Sequence, residues 1–450
     1  MLLPRIRLSS VTGRNTHPHL RKAAVAASAA ALVLGPLAVT AAADPAPAPS
    51  PAPAAPALPA DLAAAVQRDL KLSADEYLRR AGVAQQVAAF STNAQKQYPD
   101  VFAGAWLDNA GKAVVALVPG PGQDEVRKSA QAVGFEVKDV AKTQTALRDE
   151  KNAFQQWLTG QPQEVAKSVR GAVIDVVNNT VAVRVDQAGL PMPGFVDPAR
   201  VIVMAAPPQG PEPLQATAVA GEGGGPAAAG DAYASQAGHT SLRCSLGFNG
   251  TDGAGNVVNI TAGHCDPNIP AAGTGDAPGV FDLLPGDHLG AQVGSFAKSV
   301  LGAQDYSIVA INDANQGRFS NNLVRVPGQG PIPVTGVATP VVGAPVCKSG
   351  ARTGFSCGVI NAVDQTVEVG DHDLQQSFSA NICALPGDSG GPVVSGTLAL
   401  GISSASTVAD FPVCEIPELL GVLTGNGPQL FVQPVDLVLA DNPGLAVRTN

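Results

Sequence analysis

A serine in a glycine-rich turn is the first residue of this sequence that suggests chemistry. Residues 384–392 read ALPGDSGGP, which places Ser389 directly after the acidic Asp388. A serine hydroxyl becomes a nucleophile when a base takes its proton and N–H donors stabilise the oxyanion on the attacked carbonyl. Because glycine lets the backbone turn sharply, we predict that the Gly387 and Ser389 amides form this oxyanion hole. On this stretch alone, a glycine-rich surface turn remains the alternative.

The base that such a serine needs must come from the six histidines of the chain. We predict His264 for this role, because it follows the strand-like residues 257–260 and because the neighbouring Cys265 would fix the local backbone. A lone histidine is more often structural or solvated. The other histidines lie near the N-terminus or in polar surroundings and are expected away from the site: His17, His19, His239, His288 and His372.

A general base also needs an acid that holds its tautomer and stabilises the imidazolium formed during proton transfer. Asp305 is the predicted acid, since it begins the alternating stretch DYSIVAI at residues 305–311. A strand with this pattern buries its apolar face and holds the carboxylate at its start. Asp266 and Asp313 have the surroundings of turn acids and are the less favoured candidates.

Three motifs occur in the order His, Asp, Ser: TAGHC at residues 261–265, DYSIV at 305–309 and GDSGGP at 387–392. The segments CSLGFN, residues 244–249, and VCKSGARTG, residues 346–354, are similar to streptogrisin segments. Over about residues 227–440 the chain resembles the secreted bacterial branch of the chymotrypsin-like serine proteases, the streptogrisin and α-lytic protease group.

The resemblance implies an all-β, chymotrypsin-like domain of two packed six-stranded barrels with the site in the cleft between them. It also implies a serine endopeptidase that hydrolyses protein or peptide substrates through an acyl-enzyme. The segment FAGAWL at residues 102–107 is similar to the pro-regions of this group. Such a pro-region acts as a folding aid and then as an inhibitor before its removal, so the chain is expected to be a zymogen.

The same resemblance assigns further roles around the serine. Asp388 is expected to pair with Lys348, which stands where bacterial relatives carry an arginine. Ser404 is expected to support Asp305. No carboxylate lies where a trypsin-like pocket would carry one, which favours cleavage after small or medium apolar residues. At the position of Ser406, relatives usually have a glycine. The substrate pocket is expected to be lined by residues 382–386, which include Ile382, Ala384 and Leu385, by Ser403, Ser404, Ala405 and Ser406, and by residues around Phe431.

All six cysteines lie between Cys244 and Cys414, which indicates disulfides made in an oxidising compartment. No C-x-x-C pair is present, so we expect no zinc or other metal, and no cofactor. From the sequence alone fifteen connectivities remain open. The resemblance to the bacterial proteases selects Cys244–Cys265, Cys347–Cys357 and Cys383–Cys414.

The N-terminus has the pattern of a secretory signal peptide, residues 1–43. Basic residues precede an almost unbroken apolar stretch, residues 23–43, which ends in small residues suited to cleavage after Ala43. A retained membrane anchor is the alternative, but Gly35 and Pro36 interrupt the stretch. We therefore predict a secreted, extracellular protein without stable membrane association after signal cleavage.

Changes of composition divide the rest of the chain. Residues 44–60 are a Pro/Ala-rich linker, and residues 61–188 show the capping box of Ser73 and Glu76, helical periodicity and two hairpin patterns, which predict an α+β pro-region. Residues 189–226 are a second linker, rich in Pro and Gly. Residues 227–450 form the predicted protease domain, and maturation is expected near residues 227–232.

The bulk composition of the 450 residues agrees with this interpretation. Only 14% of the residues are charged and the net charge is −9, so the chain has no basic footprint for nucleic acid. The abundance of Ala, Gly and Pro favours a β-rich fold with many turns. A binding protein that keeps the protease fold without turnover is the alternative function, because Lys348 and Ser406 depart from the family pattern.

Overall fold

A computed structural model describes residues 58–204, 212–213, 217–218, 224–328, 330–369, 372–408, 410–418 and 427–450. The predicted signal peptide, most of the first linker and parts of the second linker lie outside these residues. The described residues belong to one compact unit, Pro56–Asn450. Among them no helix combines the length and the apolar character that crossing a membrane requires.

The N-terminal region mixes helices and strands, as its periodicity predicts. Its first sheet has the order β1-β2-β3, and the predicted hairpin of β1 and β2 forms with Trp106 opposite Val114. The elements are α1 (Ala60–Leu70), α2 (Ala74–Gln97), β1 (Phe102–Leu107), β2 (Ala113–Leu117), α3 (Gln123–Ala132), β3 (Glu136–Asp139), α4 (Gln144–Thr159), α5 (Gln163–Lys167), β4 (Val169–Asp175), β5 (Thr180–Val185), a 3-10 turn (Pro198–Arg200) and β6 (Val201–Val203).

The start of α2 forms only half of the predicted capping box. The Ser73 Oγ accepts a hydrogen bond from the Glu76 amide at 3.2 Å. The Glu76 carboxylate does not return to the Ser73 amide, as we predicted, because it accepts bonds from Arg79 and Arg80 at 2.7 and 2.6 Å. These two guanidinium groups, Arg79 first, lower the pKa of Glu76 to about 2. The reciprocal half of the prediction is therefore wrong.

The first half of the protease region forms a mainly antiparallel sheet of order β25-β11-β12-β15-β14-β13-β9-β10-β7. Only Leu246 and Gly247 separate β10 from β11, so one stretch of chain pairs with β9 and then with β12. The strands are β7 (Glu212–Pro213), β8 (Thr217–Ala218), β9 (Ala232–Ala237), β10 (Thr240–Ser245), β11 (Phe248–Thr251), β12 (Val257–Thr261), β13 (Gly279–Leu284), β14 (His288–Leu301) and β15 (Asp305–Ile311), with 3-10 turns Gly263–Cys265 and Ile269–Ala271.

The second half closes on itself. Its sheet runs β19-β22-β23-β24-β21-β20, and β19 also pairs with β20, which gives a six-stranded barrel. The elements are α6 (Gln316–Phe319), β16 (Leu323–Val324), β17 (Ile332–Pro333), β18 (Gly336–Val337), β19 (Pro345–Gly350), β20 (Gly354–Val369), β21 (His372–Ala380), β22 (Pro392–Ser395), β23 (Leu398–Ser406), α7 (415–418), β24 (Leu430–Pro434), α8 (Val435–Asp441) and β25 (Ala446–Val447).

The N-terminal region extends this second sheet. The predicted hairpin of β4 and β5 forms, and β4 pairs with β20, with Gly171 opposite Val367. Gly171 has a φ of +146°, and a Cβ there would lie 2.2 Å from the Thr366 carbonyl oxygen. Strand β6 pairs in parallel with β5. Residues 201–203, which we assigned to the second linker, therefore belong to this sheet.

Candidate active site

His264 and Asp305 meet because their strands are neighbours. His264 lies in the 3-10 turn that follows β12, and Asp305 begins β15, which pairs with β12 in the register Thr261 opposite Ser307. The His264 Nδ1 and the Asp305 Oδ2 lie 2.7 Å apart, and the His264 amide donates to Oδ1 at 3.0 Å. Ring and backbone of the histidine are thus held by one carboxylate.

Asp305 is itself held from the second barrel. The Ser404 Oγ donates to its Oδ2 at 2.5 Å, and the Asp305 amide donates to the Gln433 Oε1 at 3.0 Å. Burial alone would raise the pKa of Asp305, but the charge of His264 and the hydrogen bonds from His264 and Ser404 outweigh it. The net pKa of this carboxyl lies below its ordinary value, so the carboxylate stays ionised.

Ser389 lies in a tight turn that packs against the end of β12. The Gly390 amide donates to the Ser403 carbonyl oxygen at 2.8 Å. Gly390 has a φ of +84°, and a Cβ there would lie 2.1 Å from the Thr261 Oγ1. Only glycine fits this approach. The turn therefore packs against Thr261, which precedes His264 by three residues in the chain. The Ser389 side chain lines a cleft together with Ser404.

Three polar atoms at this place lack a protein partner. The His264 Nε2 is buried and accepts or donates no hydrogen bond among the described residues. In the same part of the chain, neither the Gly387 amide nor the Ser389 amide donates to a protein acceptor. Since Nδ1 is bound by Asp305, Nε2 is the unbonded ring nitrogen, and it makes no hydrogen bond to the Ser389 hydroxyl. Two unpaired amides beside a serine are what an oxyanion requires.

Asp388 and Lys348 form the expected ion pair at 3.3 Å, and both side chains are almost completely buried. The Lys348 Nζ also donates to the Thr353 Oγ1 and to the Gly354 carbonyl oxygen, the second at 3.3 Å. The Asp388 Oδ1 accepts from the amides of Arg352 and Thr353, both at 2.9 Å. The acid that precedes Ser389 is therefore anchored in the loop after β19.

The cleft beside Ser389 contains most of the predicted pocket residues. It is lined by Ala384, Leu385, Pro386, Asp388, Ser389, Ser403, Ser404, Ala405, Ser406 and Leu430. Ile382 is not among them, since its buried side chain packs in the core of the second barrel. Phe431 is also buried and points elsewhere, against Arg184 of the N-terminal region. Leu430, the neighbour of Phe431 in the chain, lines the cleft and pairs with Ser406.

The three expected disulfides form: Cys244–Cys265, Cys347–Cys357 and Cys383–Cys414. The first joins β10 to the turn that carries His264. The third holds two loops beside the cleft. The one described group of potential metal ligands contains Cys383, Cys414 and Glu418, and its two sulfur atoms are joined to each other.

The remaining described histidines lie in other elements. His239 and His372 are exposed, and His288 is half-buried at the start of β14.

No protein-family model matches the chain. Streptogrisin-C from Streptomyces griseus is 30% identical over 449 residues, which cover 94% of this chain and 89% of the relative. Glutamyl endopeptidase 2 from the same organism is 32% identical over 165 residues, 37% of this chain and 79% of the relative. Among solved structures, Nocardiopsis protease (NAPase) is 31% identical and covers 50% of this chain and 99% of its own, with a TM-score of 0.37.

The similarity to streptogrisin-C extends over the N-terminal region as well as the two β-halves. The all-β protease domain preceded by a smaller α+β region, which we predicted, is the observed fold. From this near full-length relationship we conclude that the chain belongs to the bacterial chymotrypsin-like serine proteases that include the streptogrisins, and that it is a serine endopeptidase.

Proposed function

We propose that the protein is secreted as a zymogen and cleaves peptide bonds with Ser389, His264 and Asp305. The His264 Nε2 takes the proton of the Ser389 hydroxyl as its oxygen attacks the substrate carbonyl carbon. The Gly387 and Ser389 amides bind the oxyanion of the tetrahedral intermediate. The imidazolium then gives its proton to the departing amine, which leaves an acyl-enzyme. Water, deprotonated by the same nitrogen, then attacks the acyl carbon, the ester bond to the Ser389 oxygen breaks, and the imidazolium returns its proton to that oxygen as the acid leaves.

One observation carries this proposal: a carboxylate binds the His264 Nδ1 at 2.7 Å while the Nε2 is buried without a partner. A histidine held this way has one fixed tautomer, with Nε2 as the free acceptor. Ser404, which donates a hydrogen bond to Asp305, also lines the cleft that contains Ser389.

The Ser389→Ala variant tests this mechanism. We expect it to fold but to lose cleavage of casein and labelling by a fluorophosphonate probe, which reacts with activated serines. Ser395→Ala is the matched control, because Ser395 is a buried serine of the same barrel whose Oγ donates to the Pro345 carbonyl oxygen at 3.1 Å. Cleavage or labelling that survives in Ser389→Ala would overturn the assignment.

The cleft supports cleavage after small or medium apolar residues. Its described lining contains no lysine, arginine or histidine side chain. A substrate carboxylate in such a pocket would be desolvated without a counter-charge, which is costly. We therefore propose an apolar preference here, unlike that named for the glutamyl endopeptidase. Cleavage profiling with a peptide library tests this, and a dominant preference for Glu, Lys or Arg before the cleaved bond would contradict it.

The contacts of the N-terminal region support its proposed role as a folding aid. Besides the pairing of β4 with β20, the Arg148 Nε lies 2.9 Å and the Lys151 Nζ 3.2 Å from Asp364. Arg170 reaches Glu368 at 2.8 Å. All these contacts fall on β20 of the second barrel, so this region can hold β20 in place while the barrel closes.

The hydrogen bonds and burial of residues 227–230 bear on the position of the predicted cleavage. The Ala227 and Ala229 amides donate to the carbonyl oxygens of Arg318 and Leu323, both at 2.9 Å, and residues 227–230 are buried. Residues 224–226 are exposed. We therefore propose cleavage before Ala227, with residues 227–230 kept in the mature enzyme. N-terminal sequencing of secreted protein tests this, and a start before Leu62 would show that the pro-region is retained.

A further inference from the structure

Ser245 contacts the nucleophile turn from the opposite half of the protease. It is the last residue of β10, in the first sheet, and its side chain is fully buried. Its Oγ donates to the Gly387 carbonyl oxygen at 2.8 Å, and its amide donates to the Ser389 carbonyl oxygen at 2.8 Å. One residue of the first half thus binds the backbone on both sides of Asp388.

The same hydroxyl also accepts a hydrogen bond from the Ala351 amide at 2.9 Å. The next two residues, Arg352 and Thr353, donate their amides to the Asp388 carboxylate. The Ser245 Oγ therefore joins the loop that anchors Asp388 to the carbonyl of Gly387. Its one donor and one of its two acceptor positions are used, so its orientation is fixed.

Gly387 is the residue of this turn that most needs an external restraint. Its φ is +101°, in a region where glycine moves freely and other residues rarely enter. Rotation about its backbone bonds would turn its N–H away from the position of the oxyanion. A hydrogen bond to its carbonyl oxygen fixes the Gly387–Asp388 peptide plane and with it the Gly387 Cα, so the preceding plane, which carries the Gly387 N–H, can turn only about the bonds of that Cα.

We propose that Ser245 is a positioning residue for the oxyanion hole, acting through Gly387 on the transition state and not on substrate binding. The inference rests on the proposed function, since it assumes that the Gly387 amide binds the oxyanion. Ser245 touches no reacting atom. It keeps a donor preorganised, and preorganised donors supply a large share of catalysis in this type of chemistry.

The test compares three variants, each produced as the full-length chain and assayed after maturation. Ser245→Ala removes the hydroxyl but keeps the hydrogen bond from the residue 245 backbone amide to the Ser389 carbonyl oxygen. Ser245→Thr restores a hydroxyl. Ser241→Ala is the control, because Ser241 is a buried serine on the same strand whose Oγ accepts from the Gln236 Nε2 at 3.1 Å, away from the cleft.

For Ser245→Ala we expect kcat to fall about 10- to 100-fold, somewhat less than the loss of a whole oxyanion donor. KM should stay within about twofold, because an interaction made only in the transition state changes kcat and kcat/KM together. The affinity for a peptide boronic acid, which forms a tetrahedral adduct, should fall by a similar factor. Ser245→Thr should recover most of the activity, and Ser241→Ala should retain it.

Two outcomes would overturn the inference. The first is an unchanged kcat in Ser245→Ala, and the second is a precursor that fails to fold while Ser241→Ala folds, which would assign the hydroxyl to stability. Neither outcome touches the proposed function, because that function fails only if Ser389→Ala remains active.

Discussion

The Lys348 ammonium lies 3.3 Å from the Asp388 carboxylate in a site closed to solvent. Lysine offers only a point charge here, whereas an arginine would bind the carboxylate with two parallel donors. The missing donors come from elsewhere: the amides of Arg352, Thr353 and Leu385 bind the same carboxylate at 2.9, 2.9 and 3.0 Å. The departure from the family pattern is therefore compensated by the backbone.

Lys348→Met is expected to destabilise the protein by about 3 kcal/mol or more, because it leaves a buried carboxylate without a counter-charge. Activity should fall as well, since Asp388 precedes Ser389, the proposed nucleophile. Urea unfolding in the Ser389→Ala background measures the first effect without self-digestion. Lys298→Met is the control, because Lys298 pairs with Asp441 on the surface, and it should change stability by less than about 1 kcal/mol. Full stability and activity in Lys348→Met would contradict the pairing.

Ser404 should matter for turnover through Asp305. Its hydroxyl donates to the Oδ2 that also binds the His264 ring. Hydrogen bonds to charged groups contribute about 1.5–3 kcal/mol, so Ser404→Ala is expected to lower kcat/KM roughly 10-fold or more. Ser395→Ala, a buried serine distant from the cleft, should leave kcat/KM unchanged. Equal losses in both variants would show a general packing effect instead of support for the acid.

The stability that Asp305 contributes should depend on pH in a defined direction. Its pKa is lower in the folded protein than in the unfolded chain. A group with this shift stabilises the fold fully above its unfolded pKa, which for aspartate is about 4. That contribution is lost as the pH falls through the lower, folded pKa. In the Ser389→Ala background, the stability gap to Asp305→Asn should therefore shrink as the pH falls below about 4.

Activity should fall at acid pH for a reason separate from stability. The mechanism needs a neutral imidazole at His264, so protonation of that ring stops proton transfer from Ser389. Initial rates and unfolding measured on the same samples separate the two effects. A loss of rate that coincides with unfolding at every pH would argue against His264 as the base.

The sequence could indicate candidate reacting groups for this protein because each lies in a short, local motif. Neighbouring residues restrict the backbone at these positions. Cys265 does so beside His264, and Gly390 does so beside Ser389. The sequence around these residues does not show which side chains of distant strands lie near them. Leu430 reaches the cleft only through the register of β24 on β23.

Features that join the two halves were hidden for the same reason. The hydrogen bonds of Ser245 to Gly387 and to Ser389 connect residues more than 140 positions apart in the chain. Strand β6 escaped prediction because it is short and lies in a Pro/Gly-rich stretch, while its pairing partner β5 lies in the preceding region. Composition describes the chain's local preference, and pairing to a formed sheet overrides it.

Ser406 should limit the size of the residue accepted before the cleaved bond. Its side chain lines the cleft, whereas Ile382, assigned to the pocket from the sequence, lies in the core of the second barrel. Ser406→Gly should raise kcat/KM for Phe relative to Val at this position by about tenfold, within the range expected for small changes of pocket volume. Ile382→Val is the control. It should cost about 0.5–1.5 kcal/mol of stability and leave the Phe-to-Val ratio unchanged. A changed ratio in Ile382→Val with none in Ser406→Gly would return Ile382 to the pocket and remove Ser406 from it.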